Sequence, residues 1–213
     1  MDNRNKVYSD NIAVCILAGG KGSRLGGIDK GLFLLSGKPL IEHCIERMQQ
    51  QVSNITINAN RNLEKYRDYN FNVLTDLSSD SIGPLGGIQA ALEKIDSNFI
   101  CFVPCDCPSI PLNLIQNLYE PYVNEDYDLS IASVEGKYQP TFFMAKKALK
   151  YSLRKFIDCG GRKIMHWVKQ TNFTTVKFTN PKQFINLNSK NDIEEFKKNN
   201  YRNQADGANI DCK

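Results

Sequence analysis

Short apolar runs alternate with segments of helical period from residue 12 to about residue 133. The first run, Ile12–Leu17, is continuously apolar, and comparable runs follow at 54–58, 71–75, 99–103 and 129–133. The segments of helical period lie between these runs, at 39–50, 85–95 and 112–119. Strands that alternate with helices of this length form βαβ units, and the strands of such units are mostly parallel.

The pattern also predicts how the sheet is covered and how it ends. Because the runs 12–17 and 99–103 are apolar throughout, we expect helices on both faces of their sheet. After residue 130 a strand at 139–145 and a late pair at 174–178 and 184–187 indicate some antiparallel pairing. The predicted fold is therefore α/β, with a single doubly wound, Rossmann-like, mostly parallel sheet, helices on both faces and some antiparallel strands in the carboxyl-terminal half.

The predicted domain runs from residue 12 to residue 198. A chain of 213 residues ordinarily forms one domain with a buried core. Residues 1–11 read as a polar amino-terminal extension, and residues 199–213 lack apolar periodicity, which predicts a flexible tail.

Charge and hydropathy exclude two classes of partner. The net charge of +4 comes from 27 Lys and Arg against 23 Asp and Glu, and the cations are scattered rather than gathered in the basic stripe that nucleic acid requires. No apolar run approaches the length that crosses a membrane, and the polar amino terminus lacks the apolar segment of a secretory signal. We therefore expect no contact with nucleic acid or with a membrane.

The seven cysteines indicate a reducing compartment. Cys101, Cys105 and Cys107 form a C-x3-C-x-C motif, but no second pair follows, as a structural zinc site would require. Cys15 and Cys101 lie inside apolar runs, where a free cysteine behaves as a small hydrophobic residue. Reduced thiols are typical of the cytoplasm, which is the predicted location.

The segment from Leu17 to Gly31 is the sharpest motif. It directly follows the first run and has five glycines between positions 19 and 27. A glycine-rich backbone can turn several N–H groups towards an anion, and Arg24 and Lys30 add positive charge. The segment therefore predicts a loop that binds a polyphosphate.

Better-known phosphate loops do not fit this segment. Gly22 and Gly27 have the P-loop spacing, but Ile28 and Asp29 stand where Lys and Ser or Thr are required. The dinucleotide fingerprint fails because Leu25 stands in place of its last glycine. A flexible surface loop without a ligand remains the alternative.

Polar side chains follow other runs at the edge where they end. Asp106 comes just after the run that Pro104 closes, and ligands of open α/β sheets bind at that edge. A carboxylate that faces a phosphate loop is a natural ligand for Mg²⁺, although a turn or cap residue before Pro108 is the alternative. Asn58 and Asp76 end two further runs, where they could hydrogen-bond a base or a ribose or act only as caps.

Together these motifs resemble the molybdenum cofactor guanylyltransferases, over about residues 12–196. The Leu-Ala-Gly-Gly stretch that begins at Leu17 marks only the wider group of nucleotidyltransferases. Asp29-Lys30-Gly31, Asn58-Ala59-Asn60-Arg61 and Pro104-Cys105-Asp106 narrow the resemblance to the guanylyltransferases. The region 12–198 is thus identified as a nucleotidyltransferase domain.

The resemblance implies an enzyme that transfers GMP from GTP to molybdopterin carrying molybdenum, in a reaction that requires Mg²⁺ and releases pyrophosphate. It implies GTP contacts at Leu17, Ala18, Gly19, Gly20, Lys30, Asn58, Asp76 and Asp106. The expected catalytic residues are Arg24, Lys30 and Asp106, with Asp106 as the metal ligand. Molybdopterin is expected at Arg162, Asn186 and Asn188. We also expect transient contacts with other proteins of cofactor biosynthesis or with recipient enzymes.

Some positions depart from the family pattern. Gln139 stands where a histidine is expected, Gly86 replaces an alanine, and Ser189-Lys190-Asn191 replaces a Thr-Pro-Glu-like stretch. None of these positions is among the residues implied to bind GTP.

Positioning and charge neutralisation explain how such a reaction could proceed. The attacking phosphate is already ionised at neutral pH, so positioning and charge neutralisation matter more than a general base. Neither His43 nor His166 lies in a pattern that indicates catalysis. Two alternatives stay open: a cytidylyltransferase of the same fold that acts on molybdopterin or a sugar-alcohol phosphate, and a non-catalytic module that senses nucleotides.

Overall fold

One sheet runs through most of the chain. The computed structural model describes residues 11–20, 29–78, 80, 82–189 and 191–198. The strands of this part of the chain are β1 (Ile12–Leu17), β2 (Leu34–Leu35), β3 (Lys38–Pro39), β4 (Ile55–Asn58), β5 (Asn72–Leu74), β6 (Phe99–Pro104), β7 (Leu129–Val134), β8 (Lys137–Lys146) and β9 (Phe173–Phe178). Its α-helices are α1 (Leu40–Gln49), α2 (Leu63–Arg67), α3 (Pro84–Lys94), α4 (Leu114–Tyr119), α5 (Pro121–Asn124), α6 (Lys150–Asp158), α7 (Ile164–Val168) and α8 (191–198). Short 3₁₀ turns span Lys30–Leu32, Lys147–Leu149 and Pro181–Phe184.

The strand order confirms the predicted fold class. Within the described residues, seven strands form one sheet in the order β5-β4-β1-β6-β8-β7-β9. β1 pairs in parallel with β4 on one side and with β6 on the other, and β4 pairs in parallel with β5. β8 is antiparallel to β6 and β7, whereas β9 is parallel to β7. The antiparallel pairing therefore lies in the carboxyl-terminal half, as predicted.

Alternate side chains of β1 enter two hydrophobic clusters on opposite faces of the sheet. Ile12, Val14 and Ile16 belong to one cluster, which also contains residues of α1 and α4. Ala13 and Cys15 belong to the other, which contains residues of α3, α6 and α7. This double burial explains why the first run of the sequence is apolar at every position.

The small hairpin of β2 and β3 is a feature that the apolar pattern did not predict. Its turn uses Ser36 and Gly37, both of which have a positive φ. Each strand has only two residues, which is too short for an alternating pattern to show. A small group of buried side chains, which we call the hairpin cluster, joins this hairpin to α8. The hairpin cluster consists of Leu35, Leu40, Leu187 and Ile193.

The late strand predicted at 184–187 is wrong. The structure instead has a 3₁₀ turn at Pro181–Phe184, in which Asn180 accepts a hydrogen bond from the Lys182 N–H at 3.1 Å. A proline in the first turn and an Asn cap favour this local structure over a strand. Phe184 still packs into the core, which accounts for the apolar character that suggested a strand.

The three glycines at 83, 86 and 87 are divided between a helix cap and the helix that follows it. Gly83 precedes α3 with a φ of 65°, and Pro84 occupies the first turn of that helix. Gly86 and Gly87 are helical and buried.

Two other predictions concern the ends of the chain. The predicted flexible tail and the polar extension before Asn11 lie outside the described residues.

Across the described ranges, no helix combines the length and apolar character that a membrane crossing needs.

The cysteine side chains divide by burial. Cys15, Cys44, Cys101, Cys105 and Cys107 are buried, whereas Cys159 is exposed. Burial raises the pKa of all five buried thiols, that of Cys107 to about 12. A buried, protonated thiol is a poor nucleophile.

We therefore predict that iodoacetamide alkylates Cys159 in the native protein and leaves the five buried thiols unmodified. Peptide mass spectrometry after brief labelling at neutral pH provides the measurement, and the same labelling in urea is the control. Fast native modification of Cys105 or Cys107 would contradict the described packing.

Candidate functional site

A cavity of about 920 Å³ opens at the edge of the sheet where β1, β4 and β6 end. Backbone hydrogen bonds hold this edge together: the Ala18 N–H donates to the Asn58 carbonyl at 2.8 Å, and the Cys105 N–H donates to the Leu17 carbonyl at 3.2 Å. We call this space the edge cavity. Its lining consists of Leu17, Ala18, Gly19, Gly20, Lys30, Asn58, Asn60, Arg61, Asp76, Leu77, Ser78, Asp80, Gly83, Pro84, Pro104, Cys105, Asp106, Thr141, Asn186 and Asn188.

An ion pair lies in the edge cavity. The Lys30 ammonium donates to Oδ2 of Asp106 at 2.8 Å and to Oδ1 of Asn188 at 2.5 Å. The Asp106 side chain is only 8% exposed and that of Lys30 is 25% exposed. The Leu187 N–H donates to the Asp106 carbonyl at 2.8 Å, so the backbone before Asn188 is tied to the loop that carries the carboxylate. Three segments that are distant in sequence therefore meet at one cation.

A second polar pair lies where β4 and β5 end. The Asn58 amide donates to Oδ1 of Asp76 at 2.9 Å, and Asn58 is buried. The Asp76 N–H donates to Oδ1 of Asn60 at 2.9 Å, and the amide of Asn60 donates to the Gly19 carbonyl at 3.3 Å. The strand-end residues thus hold one another in fixed orientations.

Two glycines of α3 make room for this second pair. A Cβ at Gly86 would lie 2.4 Å from Oδ2 of Asp76, and one at Gly87 would lie 2.1 Å from Oδ1 of Asn58. These distances are too short for non-bonded atoms. The absence of side chains at both positions therefore lets the helix pack directly against the polar pair.

A buried network stands behind Lys30. Asp29 is 5% exposed and accepts hydrogen bonds from the Tyr66 hydroxyl at 2.5 Å and from the Asn62 amide at 3.0 Å. Burial raises the pKa of Tyr66 well above its ordinary value, and the bond to Asp29 adds to this rise, so the phenol remains a donor. Arg61 lies 3.7 Å from Asp29 and donates to the Gly20 carbonyl at 3.2 Å. The network anchors the backbone from which Lys30 extends.

The structure brings together most of the predicted site residues. All eight residues expected to contact GTP line the edge cavity, and so do Asn186 and Asn188. Arg162 lies elsewhere: it is exposed and donates to the carbonyls of Ile157 and Gly161, at the end of α6. Arg24 lies outside the described residues. The ligand contacts of all these residues stay predictions.

Sequence reasoning assigned no role to several residues of the site. Asn60 and Arg61 were visible in the Asn-Ala-Asn-Arg motif, and Asp29 was visible beside Lys30. Thr141 gave no signal, because a lone threonine in a strand indicates no ligand. Tyr66 gave none either, since its partner Asp29 is 37 residues away in sequence.

The donor set of the edge cavity suits a hard cation. Lys30 contacts Oδ2 of Asp106, and no hydrogen bond from a described residue reaches Oδ1. No group of three or more His, Cys, Asp and Glu side chains suitable for a metal ion occurs among the described residues. A single carboxylate fits Mg²⁺, which takes its remaining ligands from substrate phosphates and water.

Neither histidine lines the edge cavity. His43 Nε2 lies 3.3 Å from the Leu35 carbonyl, and His166 is exposed on α7. The described lining therefore offers the cations Lys30 and Arg61 together with carboxylates, amides and backbone groups. Such a set can hold an anionic substrate and neutralise its charge.

Comparisons with known proteins agree with this geometry. Residues 14–173 match the family described as the MobA-like NTP transferase domain. A molybdenum cofactor guanylyltransferase of Photobacterium profundum is 43% identical over 182 residues, which are 85% of this chain and 93% of that protein. A protein of the same name from Histophilus somni is 41% identical over 186 residues, which are 87% of this chain and 95% of that protein.

A solved structure shares the fold. Molybdopterin-guanine dinucleotide biosynthesis protein A from Archaeoglobus fulgidus matches with a TM-score of 0.73 and 21% identity, over 89% of this chain and 99% of that chain. At this identity the likeness concerns the fold alone.

The close contact between α3 and Asn58 leads to a stability prediction. We expect Gly87→Ala to lower the free energy of unfolding by about 1–3 kcal/mol, because overpacking displaces the buried Asn58 amide. Helix propensity alone predicts the opposite sign, a gain of about 1 kcal/mol. Urea denaturation without ligand measures the change.

Gly20→Ala is the matched control, since a Cβ there would meet nothing within 4 Å. Its free energy of unfolding is expected to change by less than about 0.5 kcal/mol. A stabilised Gly87→Ala would show that Asn58 moves aside without cost and would contradict the tight packing.

Proposed function

Because this chain belongs to the family of MobA-like NTP transferase domains, we propose that it transfers GMP from GTP to molybdopterin carrying molybdenum. The products are molybdopterin guanine dinucleotide and pyrophosphate. The choice of substrates is supported by relatives more than 40% identical to this chain that are named molybdenum cofactor guanylyltransferase.

The observation that carries the proposal is the Lys30–Asp106 ion pair inside the edge cavity, with a distance of 2.8 Å. A nucleoside triphosphate with its divalent cation needs both signs of charge side by side. The ammonium attracts phosphate oxygens, and the carboxylate attracts the cation that accompanies them. The cavity volume of about 920 Å³ lies within the range of cofactor and nucleotide sites.

Lys30 is proposed to neutralise the charge that builds on the leaving pyrophosphate. A terminal phosphate of molybdopterin attacks the α-phosphorus of GTP, the bond to the β-phosphate oxygen breaks, and pyrophosphate leaves. The attacking phosphate is ionised at neutral pH, so the site must position it and offset charge. The amino-terminal end of α3, where Gly83 and Pro84 line the cavity, adds a partial positive charge.

The second polar pair is proposed to bind the nucleoside. The carboxylate of Asp76 is held by the Asn58 amide, which leaves it oriented for donors of a base or a ribose. Guanine presents two adjacent N–H donors on one edge, and a carboxylate can accept from both. This chemistry supports GTP at this end of the cavity.

Asp106 is the residue that we propose to hold Mg²⁺, which when bound would offset the negative charge of the phosphates. Its buried carboxylate needs a cation close by, because an unpaired buried charge is costly. Lys30 fills that need through Oδ2.

Asn186 supports a place for molybdopterin in the same cavity. Its side-chain Oδ1 is buried and has no hydrogen-bond partner within the described part of the chain. A buried acceptor without a partner costs free energy, and a donor on the ligand removes that cost. Pterins carry amino and ring N–H donors of this kind. Arg162 stays a prediction, outside the cavity.

The proposal is tested by incubating the protein with Mg²⁺, molybdopterin and each of the four nucleoside triphosphates in turn. Pyrophosphate release is expected with GTP. Release with CTP instead would indicate a cytidylyltransferase and overturn the choice of substrate. No release with any triphosphate, while GTP still binds, would indicate a non-catalytic nucleotide-sensing module.

A variant of Asp106 tests the assignment of the metal. We expect Asp106→Ala to abolish pyrophosphate release at every Mg²⁺ concentration, because it removes the carboxylate that is proposed to hold the ion. EDTA is expected to stop the wild-type reaction, and excess Mg²⁺ to restore it.

Asp96→Ala is the matched control for that variant. It also removes a carboxylate that pairs with a lysine, since Lys147 lies 3.1 Å from Asp96, but that pair is on the surface and outside the cavity. It should keep wild-type turnover. Near-normal product formation by Asp106→Ala at saturating Mg²⁺ would remove the metal assignment.

A further inference from the structure

Asn188 is held by three hydrogen bonds, two at its side-chain amide and one at its backbone N–H. Its Oδ1 accepts from the Lys30 ammonium at 2.5 Å, and its Nδ2 donates to the Asn186 carbonyl at 3.2 Å. Its backbone N–H donates to Oδ2 of Asp192 at 2.7 Å. An amide that is fixed in this way presents its oxygen, and not its nitrogen, to the cation.

Asp192 contacts Asn188 as part of the cap at the beginning of α8. Oδ2 of Asp192 accepts from the N–H groups of both Asn188 and Ser189, the latter at 2.9 Å. The Asp192 N–H in turn donates to Oγ of Ser189 at 3.2 Å. These reciprocal bonds form a capping box, which defines where a helix begins. A single oxygen of Asp192 therefore accepts from the N–H of Ser189 in the helix cap and from the N–H of Asn188, whose side chain contacts Lys30.

The hairpin cluster fixes the other side of this segment. Leu187 and Ile193 are buried in it together with Leu35 and Leu40. The 3₁₀ turn that begins at Lys30 lies in the same part of the chain as this hairpin. The segments that carry Lys30 and Asn188 therefore meet in the hairpin cluster, through Leu35 and Leu187.

We propose that Asp192 is a positioning residue that holds the Asn188 amide against the Lys30 ammonium, a role that rests on the proposed function of the site. Lysine has a long flexible side chain, and its charge is useful in a transition state only when it is held in place. Asp106 binds the ammonium from one side, and Asn188 binds it from the other. Asp192 keeps the second partner in position without lining the edge cavity itself.

The geometry supplies a matched set of variants. Asp192→Ala removes the bonds to Asn188 and Ser189. Ser189→Ala removes only the reciprocal bond of the cap and leaves the bond between Asp192 and Asn188. Asp192→Asn keeps one amide oxygen, which can replace Oδ2 because both N–H groups bond to that single oxygen.

The first readout is the kinetics of pyrophosphate release. Asp192→Ala is expected to lower kcat about tenfold with little change in KM for GTP, since a misplaced Lys30 weakens the transition state more than the ground state. Ser189→Ala and Asp192→Asn are expected to remain within about threefold of wild type. Thermal unfolding of all four proteins checks that they are folded at the assay temperature.

The second readout needs no substrate. Trace acetylation by acetic anhydride, which acylates the free amine and releases acetate, measures by peptide mass spectrometry the reactivity of the Lys30 amino group relative to that of Lys38, whose partner is Glu46. Asp192→Ala is expected to raise the relative rate at Lys30 about fivefold, because one hydrogen bond to the ammonium is lost. Ser189→Ala is expected to leave that rate unchanged.

The two readouts separate this proposal from the proposed function. If wild-type protein releases no pyrophosphate, the proposed function fails, and the acetylation rate alone decides the role of Asp192. If wild-type protein turns over, equal effects of Asp192→Ala and Ser189→Ala on kcat overturn the positioning role and leave only a helix cap. An unchanged rate of Lys30 acetylation in Asp192→Ala overturns the positioning role at any value of kcat. Faster acetylation with an unchanged kcat also overturns it.

Discussion

The ion pair between Lys30 and Asp106 is the interaction on which the site depends. Two opposite charges at 2.8 Å, largely removed from water, attract strongly, but each is costly if its partner is displaced. The surrounding structure keeps them together through the backbone bond from Leu187 to Asp106 and the amide of Asn188. Much of the polar architecture at this edge of the sheet can be understood as support for that pair.

The second polar pair, Asn58 and Asp76, is also held in place by the structure around it, but by different contacts. Asn58 and Asp76 are oriented by hydrogen bonds and by the bare backbone of α3 at Gly86 and Gly87. A neutral amide can be buried at lower cost than an ammonium, so hydrogen bonds and close packing together hold Asn58 and, through it, the carboxylate of Asp76. The cavity thus has an ion pair at one end and a carboxylate held by an amide at the other.

Much of the fold and part of the site follow from local sequence patterns. The continuous apolar runs predicted the central strands because burial on both faces leaves no polar position. Asn58, Asp76 and Asp106 could be found because the carboxyl ends of parallel strands share one edge of the sheet. The strand predicted at 184–187 is wrong because Phe184 is buried from a 3₁₀ turn, and an apolar residue does not reveal which backbone carries it.

Other features could not be read from the sequence. The capping box of Ser189 and Asp192 is a local signal, but its connection to Lys30 is a tertiary contact that no spacing encodes. The contact of Tyr66 with Asp29 is equally non-local. Arg162 lies outside the cavity: it donates to carbonyls at the end of α6, which basic side chains commonly do, and it follows Gly160, whose positive φ is typical of a helix end.

The distance in sequence between the partners of Lys30 has a consequence for how the molecule assembles. Asp106 is 76 residues from Lys30 and Asn188 is 158 residues from it. Contacts of such high sequence separation carry a loop-closure entropy cost, and no single local segment of the chain can form this site alone. During synthesis the central strands emerge from the ribosome well before Asn188 does. The lysine of a nascent chain therefore cannot gain Asn188 as a partner until almost all of the described chain has been synthesised.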